Sequence, residues 1–449
     1  MAKALFTVSI LVSAFLLFLV QPLFARMMLP YLGGSPAVWN TALVFFQATL
    51  LLGYGYAHWA SKHFTGKLVW IHVALLAIGL IVLPLKVPHW GDPPTSGTPV
   101  FWLLGMLAMG VGIPFFLTST SSPLLQRWFS RLGHKQSENP YFLYAASNVG
   151  SLVALLGYPF AFEMSLNLPD QSKIWSVGFG VLVLLVACCA GLYSKADVAA
   201  KLAPRDCSPP LGNLETLAWK RKLRWVLLAF VPSSLLMGVT TYVSTEIAAV
   251  PLLWVIPLAI YLLTFIFAFA DRKLIPIGLV RAIAPFFIVI PLIVTVGQFR
   301  TVTVGEWESP WWIPIAAGFG GFFVVSLLCH GELSEDKPEP ARLTEFFLWV
   351  SFGGVLGGIF CGLIAPIVFK QVLEYPIALV LCAALFKPVA KKGSYWDWIL
   401  PVATVAVAAL SLFLLKQSGN WNEREVWKAM IAPGIICVLA FPRPLRLAS

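Results

Sequence analysis

Charge is scarce in this sequence: Asp, Glu, Lys and Arg supply 11% of the 449 residues, with 20 acidic side chains against 31 basic ones. A chain 59% hydrophobic, with mean hydropathy +0.83, exposes too little charge to enclose its apolar surface in water. It reads as a polytopic membrane protein. Cysteine is equally uninformative as a framework. The seven cysteines sit mostly in apolar runs (Cys188, Cys189, Cys361, Cys382, Cys437) without paired or zinc-ligand spacing, which excludes a disulfide scaffold and a zinc module. Neither a phosphate-cradling loop nor a Ser, His or Cys constellation for nucleophilic catalysis can be assembled. No catalytic residue, metal or cofactor is therefore assigned. The net charge of +11 lies in short loops between hydrophobic runs, so it reads as an orientation signal and not as a nucleic-acid footprint.

What is present is length of apolar sequence. About fourteen segments meet or approach the length of a bilayer span. They centre on Ala4 to Phe24, Pro36 to Ala60, Leu68 to Val87, Pro99 to Ser121, Tyr141 to Phe162, Ile174 to Tyr193, Trp225 to Thr245, Pro251 to Ala270, Ile277 to Val296, Trp311 to Cys329, Leu343 to Phe369, Tyr375 to Phe386, Trp396 to Leu415 and Ala429 to Phe441. The first follows a single Lys3, exceeds a signal-peptide core and is read as an uncleaved helix. The twelfth and fourteenth are short enough to span only half the bilayer.

Placing the N-terminus and every second loop on one side gathers about 23 of the 31 basic residues there and leaves about 8 opposite. Both termini are then cytoplasmic. The longest polar stretch, 194–222, carries Pro204, Pro209, Pro210 and the cluster Lys220, Arg221, Lys222, Arg224. It reads as a basic linker between a six-helix bundle at 1–193 and a second at 223–388, with two additional helices at 389–449. A repeat supports the division. Segment two opens Pro36, Ala37, Val38, Trp39 and segment eight Pro251, Leu252, Leu253, Trp254; segment five runs from Phe142, Leu143, Tyr144 to Pro159 and segment eleven from Phe347, Leu348, Trp349 to Pro366. Both matches are offset by six segments. The expected fold class is an all-α polytopic membrane protein with about fourteen transmembrane segments, a 6+6 pseudo-repeat plus two C-terminal helices.

Segment eleven organises the rest. Gly354, Gly358 and Gly362, with Gly353 and Gly357 beside them, form a groove free of side chains, and Gly354 and Gly358 are expected to admit another helix.

Polar groups inside a bilayer need a partner or a water-filled cavity, so their placement is the functional clue. Segment one carries Gln21 and Arg26. Segment four ends in Thr118, Ser119, Thr120, Ser121 and Ser122. Segment seven holds Thr240, Thr241, Tyr242, Ser244, Thr245 and Glu246, and segment ten ends in Cys329, His330 and Glu332. Segments one, four, seven and ten, equivalent under pseudo-symmetry, are the expected cavity liners. Segment two sets Asn40, Gln47 and Tyr54 at seven-residue steps on one face, and segment five does so with Tyr141, Tyr144 and Asn148. The candidate substrate-binding residues are Gln21, Arg26, Asn40, Gln47, Tyr54, Thr118, Tyr144, Asn148, Thr241, Tyr242, Thr245 and Glu246; structural hydrogen bonding or interfacial solvation is the competing role for each. Arg26 and Glu246 could pair across the two bundles. His330 and Glu332 form a candidate proton site, with loop capping as its alternative.

Several of these stretches carry a family resemblance: Cys329 to Leu333, Leu343 to Trp349 with the glycine helix up to Pro376, Gln21 and Pro22 with Arg26 and Pro30 to Gly34, Pro140 to Asn148, and Ile247 to Trp254. With them the chain resembles the membrane portion of bacterial fused major facilitator/spermidine synthase proteins. The resemblance implies a major-facilitator-like, transporter-like bundle in a bacterial inner (plasma) membrane, with polyamines or other organic cations among the solutes. It does not extend to a soluble aminopropyltransferase-like domain, since no such sequence follows Pro442. Nor does Gly55 to Gly66, read as a loop, carry the acidic residue of the facilitator signature.

The leading expectation is a secondary transporter or exporter of a small polar, polyamine-like molecule, working by alternating access. Its partners are the lipid bilayer and the small-molecule substrate. The alternative is a membrane scaffold for a separately encoded soluble enzyme, docked on Ser194 to Arg224 and the C-terminus. An intramembrane enzyme built on His330 and Glu332 ranks third.

Overall fold

A computed structural model describes residues 2–33, 36–88, 91–94, 99–132, 140–202, 218–246, 254–270, 274–296, 303–304, 307–308, 312–369 and 373–385. Segments thirteen and fourteen lie outside these residues. Within them the chain forms α1 (Ala2–Leu32), α2 (Pro36–His63), α3 (Gly66–Val82), α4 (Val100–Ser130), α5 (Phe142–Ser165), α6 (Leu168–Leu202), α7 (Trp219–Glu246), α8 (Val255–Phe269), α9 (Ile277–Val296), α10 (Trp312–Glu335), α11 (Pro340–Val368) and α12 (Glu374–Leu385). Two short strands, Thr303–Val304 and Trp307–Glu308, pair antiparallel between α9 and α10. Among the described residues, eight helices are long and apolar enough to cross a bilayer, and α3, α8, α9 and α12 are shorter apolar ones. Helix is the form such sequence must take, because lipid offers backbone N–H and C=O groups no other partner. This is an all-α polytopic membrane protein.

The packing repeats at an interval of six helices. Helix α1 packs on α4, α5 and α6, and α7 packs on α10, α11 and α12; α2 packs on α4 as α8 packs on α10. The halves meet chiefly where α2 lies on α11 and α5 lies on α8.

Glycine sets the spacing inside each half. A Cβ at Gly150 of α5 would stand 2.5 Å from the Leu11 carbonyl oxygen of α1, and one at Gly357 of α11 would stand 2.7 Å from the Phe230 carbonyl oxygen of α7. Neither position has room for a methyl group against a backbone atom. At Gly353 the Val226 carbonyl oxygen is nearer still, whereas Gly354 has nothing within 4 Å. The groove expected at Gly354 and Gly358 is thus divided: Gly353 and Gly357 seat α7, Gly358 accommodates the Gln47 side chain of α2, and Gly354 is open.

Among the described residues, three helices contain a π-helical turn: Ala108–Gly112 in α4, Tyr158–Phe162 in α5 and Phe360–Ile364 in α11. Each contains or lies close to a proline (Pro159 within its turn, Pro114 and Pro366 two residues past theirs) that has no N–H to give and crowds the carbonyl four residues back.

Several boundaries differ from expectation for physical reasons. Helix α4 runs past Ser121 to Ser130, with hydroxyls of this polar run bonding back within the helix, as Thr118 does to the Pro114 carbonyl and Thr120 to that of Leu117. Helix α10 continues through His330 to Glu335, and α2 to His63, so most of Gly55 to Gly66 is helix and not loop. The polar stretch expected from 194 to 222 is helical at both ends, since α6 reaches Leu202 and α7 begins at Trp219.

Candidate functional site

Midway between the two ends of the bundle, a cavity of about 150 Å³ opens where the halves meet. Most of its polar lining comes from α1, α2, α4 and α5, set among apolar residues of the same helices such as Leu17, Phe46 and Phe115. Ser13 and Gln21 face it from α1, Gln47 and Tyr54 from α2, Thr118, Ser119 and Ser122 from α4, and Tyr144, Ser147, Asn148 and Ser151 from α5. The facing wall is largely apolar: Leu236 of α7, Leu258, Leu262 and Phe265 of α8, and Phe347, Val350 and Val355 of α11, with Tyr261 and Ser351 as its polar members. Among the described residues, no carboxylate, amine, guanidinium or imidazole lines it.

Toward the end that carries Lys3, Arg127, Arg131 and Lys222, here the basic end, aromatic rings close the cavity. Tyr144 stacks on Phe347 at 4.5 Å between centroids, and Phe265 and Phe269 meet it edge-on at 5.5 and 5.0 Å. Beyond the rings, hydrogen bonds tie the two halves. Arg127 donates to the Pro340 carbonyl (3.0 Å), Tyr141 donates to the Pro338 carbonyl (2.6 Å), and His58 Nδ1 lies 3.0 Å from Thr344 Oγ1. Burial holds the Tyr141 phenol well above its usual pKa, which keeps the donated proton in place.

The seven-residue stripe on α2 runs along this interface. Asn40 donates to Thr241 of α7 (3.1 Å) at the far end, beside Trp39 and Trp254, whose rings are 6.0 Å apart. Gln47 donates to Ser233 of α7 (3.3 Å) at mid-height, and Ser233 donates in turn to the Gly354 carbonyl (2.7 Å). Tyr54 faces Phe347 at the basic end, with ring centroids 6.5 Å apart.

Of the candidate binding residues, Gln21, Gln47, Tyr54, Thr118, Tyr144 and Asn148 therefore converge on one cavity. Asn40 and Thr241 pair with each other above it. Arg26 ion-pairs with Glu163 of α5 at 2.9 Å, within its own half. Tyr242 packs half-buried against the core; the side chains of Thr245 and Glu246 lie outside the described residues. The cavity also departs from the expected pseudo-symmetric lining. Helices α2, α5, α8 and α11 contribute much of the wall, α7 gives only Leu236, and α10 gives none of the lining among the described residues. The liners missed were Ser13, Ser147, Ser151, Tyr261 and Ser351. Ser147 and Ser151 continue the face of Tyr144 and Asn148 at helical spacing, so that signal was in the sequence.

His330 and Glu332 sit outside the cavity and apart from each other in role. His330 is fully buried; its Nδ1 is 2.9 Å from Thr264 Oγ1 and its ring stacks on Phe265 at 3.5 Å, behind the cavity wall. Glu332, 1% exposed, receives Arg224 of α7 at 2.6 Å and Arg281 of α9, whose Nε lies 2.9 Å away. Asp336 one turn on takes Arg221 (3.1 Å) and the Trp225 indole (2.8 Å), and Glu345 of α11 takes Lys222 (2.8 Å). These carboxylates join α7, α9, α10 and α11 at the basic end instead of capping a loop. No group of three or more His, Cys, Asp or Glu side chains placed to hold a metal occurs among the described residues.

No family model matches the chain, and no curated protein does. Solved structures do match in fold. The partially occluded inward-open form of the xylose transporter XylE from E. coli aligns over 85% of this chain and 96% of its own, at 12% identity and a TM-score of 0.52. Its inward-open form aligns over 85% and 94%, at 12% identity and 0.51. A third structure, described as the major facilitator superfamily proton:xylose symporter XylE, gives 14% identity over 85% and 94% with a TM-score of 0.49. At such identities the likeness is one of fold.

Proposed function

We propose that the chain is a secondary transporter that carries a small polar molecule across a bacterial inner membrane by alternating access, with both termini cytoplasmic. One observation carries the reading: a cavity walled by both halves lies between two sets of contacts that cross from one half to the other. Separating one set while the other holds would expose the cavity to one side at a time. The resemblance to the membrane portion of fused major facilitator/spermidine synthase proteins adds polyamines to the candidate solutes. The wall itself favours an uncharged solute, because a multiply charged amine would shed its hydration there without a counter-charge.

The test uses a cysteine at Ser351 in a background cleared of the native cysteines, and membrane-impermeant thiol reagents applied from either side. Cysteine pairs replacing His58 and Thr344, or Asn40 and Thr241, lock one end each. Locking the basic end should abolish labelling from the cytoplasm alone, and locking the far end should abolish it from outside alone. Labelling indifferent to both locks would overturn the transport reading. It would then favour a static scaffold, for which a co-purifying soluble enzyme is the positive sign.

A further inference from the structure

The two halves present unlike electrostatics at the basic end. In the C-terminal half four cations are matched within the protein: Arg221 lies 3.1 Å from Asp336, Lys222 2.8 Å from Glu345, Arg224 2.6 Å from Glu332 and Arg281 2.9 Å from Glu332. In the N-terminal half Lys3, Lys62, Lys67, Arg127, Arg131 and Lys195 stand at the same end, and none of them ion-pairs with a carboxylate among the described residues. Arg127 and Arg131 donate instead to the Pro340 carbonyl and the Tyr193 hydroxyl, and Lys3 lies over the Phe142 ring at 4.6 Å. The imbalance begins in the sequence. Its first acidic residue is Asp92, and Glu163 and Asp170 serve the far end, where they pair with Arg26 and Lys173. The side chains of Glu138 and Asp197 lie outside the described residues.

Lys62, Lys67 and Lys195 are exposed where α2 turns into α3 and where α6 ends. These ends adjoin, since α3 packs on α6 and the Trp70 ring comes within 4.0 Å of where a Cβ on Gly191 would stand. Along α3 from Lys67, the residues Ile71, Ala74, Ile78 and Ile81 follow at steps of three and four, and each is exposed. From Ile71 to Ile81 the stripe runs about 15 Å, half of a hydrocarbon core of about 30 Å. Trp59 and Trp70, both exposed, flank its charged end at the level where indoles meet headgroups. We infer that the turn between α2 and α3 holds an anionic glycerophospholipid, its phosphate on Lys62 and Lys67 and an acyl chain along the α3 stripe. A soluble anion or an acidic protein would use the charged end alone and leave the stripe unused. The headgroup gives the N-terminal half the counter-charge that Glu332, Asp336 and Glu345 give the other, at about fivefold in affinity per lysine. The inference does not depend on transport, because a static scaffold would hold the lipid equally.

Native mass spectrometry of the full chain in detergent micelles, titrated with dioleoyl phosphatidylglycerol or dioleoyl phosphatidylcholine, reads the affinity for each lipid. The anionic lipid should be held about twentyfold more tightly, the product of two lysines at about fivefold each. Lys62→Gln combined with Lys67→Gln should bring the two lipids within about twofold of each other. Lys62→Arg combined with Lys67→Arg keeps the charge and should keep the preference, which separates loss of the site from loss of the fold. Lys86→Gln removes an exposed cation beyond the other end of α3 and should also leave it intact. The inference is overturned if the two lipids bind alike, if the preference survives the glutamine pair, or if the arginine pair or Lys86→Gln abolishes it. Displacement of phosphatidylglycerol by an equimolar amount of glycerol 3-phosphate or of a soluble oligoglutamate would overturn it too, by assigning the lysines to a free anion or to an acidic protein.

Discussion

Adjacent glycines on α11 give a test in which two alanines on one helix must act with opposite sign. A Cβ at Gly353 would stand 2.2 Å from the Val226 carbonyl oxygen and 3.0 Å from Ala229 Cβ, while one at Gly354 meets nothing within 4 Å. Ordinary contact begins at 3.4 Å, so α7 and α11 must part by about 1.2 Å at Gly353, the difference between 3.4 and 2.2. The obstructing atom is backbone and cannot rotate aside. Overpacking of this kind costs about 1–3 kcal/mol, against a gain of about 0.5–1 kcal/mol from replacing glycine by alanine within a helix. Gly353→Ala is therefore expected to melt below the wild type and Gly354→Ala at or above it. Thermal unfolding of both purified proteins in one detergent, followed by retention of the monodisperse peak, measures the order. Equal melting temperatures, or the reverse order, would refute the assignment of the two faces.

Other substitutions test the charged groups and the topology. Glu332→Gln leaves Arg224 and Arg281 facing a neutral amide and should cost roughly 3 kcal/mol, whereas Arg281→Gln should cost less because Arg224 still neutralises the carboxylate; denaturant titration in mixed micelles would contradict this if the two variants fell equally. Arg26→Gln breaks a pair whose side chains are 40% and 23% exposed, so its stability should change by no more than about 1 kcal/mol. A larger loss by the same titration would mean that Arg26 serves more than its tie to Glu163. Cys207, expected on the cytoplasmic side, should resist a membrane-impermeant maleimide in intact cells and react once the membrane is permeabilised; labelling of intact cells would invert the topology.

The fold was legible because lipid imposes one rule on the backbone, and apolar length is enough to detect the helices. The stripe of Asn40, Gln47 and Tyr54 was legible for a related reason: seven-residue spacing on a straight helix keeps one face, and that face meets the other half. Helix ends were harder to read. Thr118 to Ser122 looks like a polar terminus in sequence, yet Thr118, Ser119 and Thr120 donate to carbonyls of their own helix and the helix runs on. Glu332 looks like an interfacial carboxylate, but its neutralising partners lie more than fifty residues before it, at Arg224 and Arg281, and no local pattern announces them. The two faces of the glycine helix were inseparable for the same reason, because which glycine touches α7 depends on rotation about the helix axis, and that is set by the neighbours.

The widened turns in α5 and α11 have a mechanical consequence. Both lie beyond the midpoint of their helices, away from Tyr141, Thr344 and the hydrogen bonds of the basic end. Helix α5 bears on α8 and α11 bears on α2, so each turn sits in a helix that spans the contact between halves. A turn with relaxed hydrogen bonding is a flexure. Bending at Tyr158–Phe162 and Phe360–Ile364 would swing the short tips Glu163–Ser165 and Ala365–Val368 as paired levers while the shafts stayed clamped. Opening toward the far side would then take two small elastic bends, with the buried carboxylates and the interlocked glycines left undisturbed.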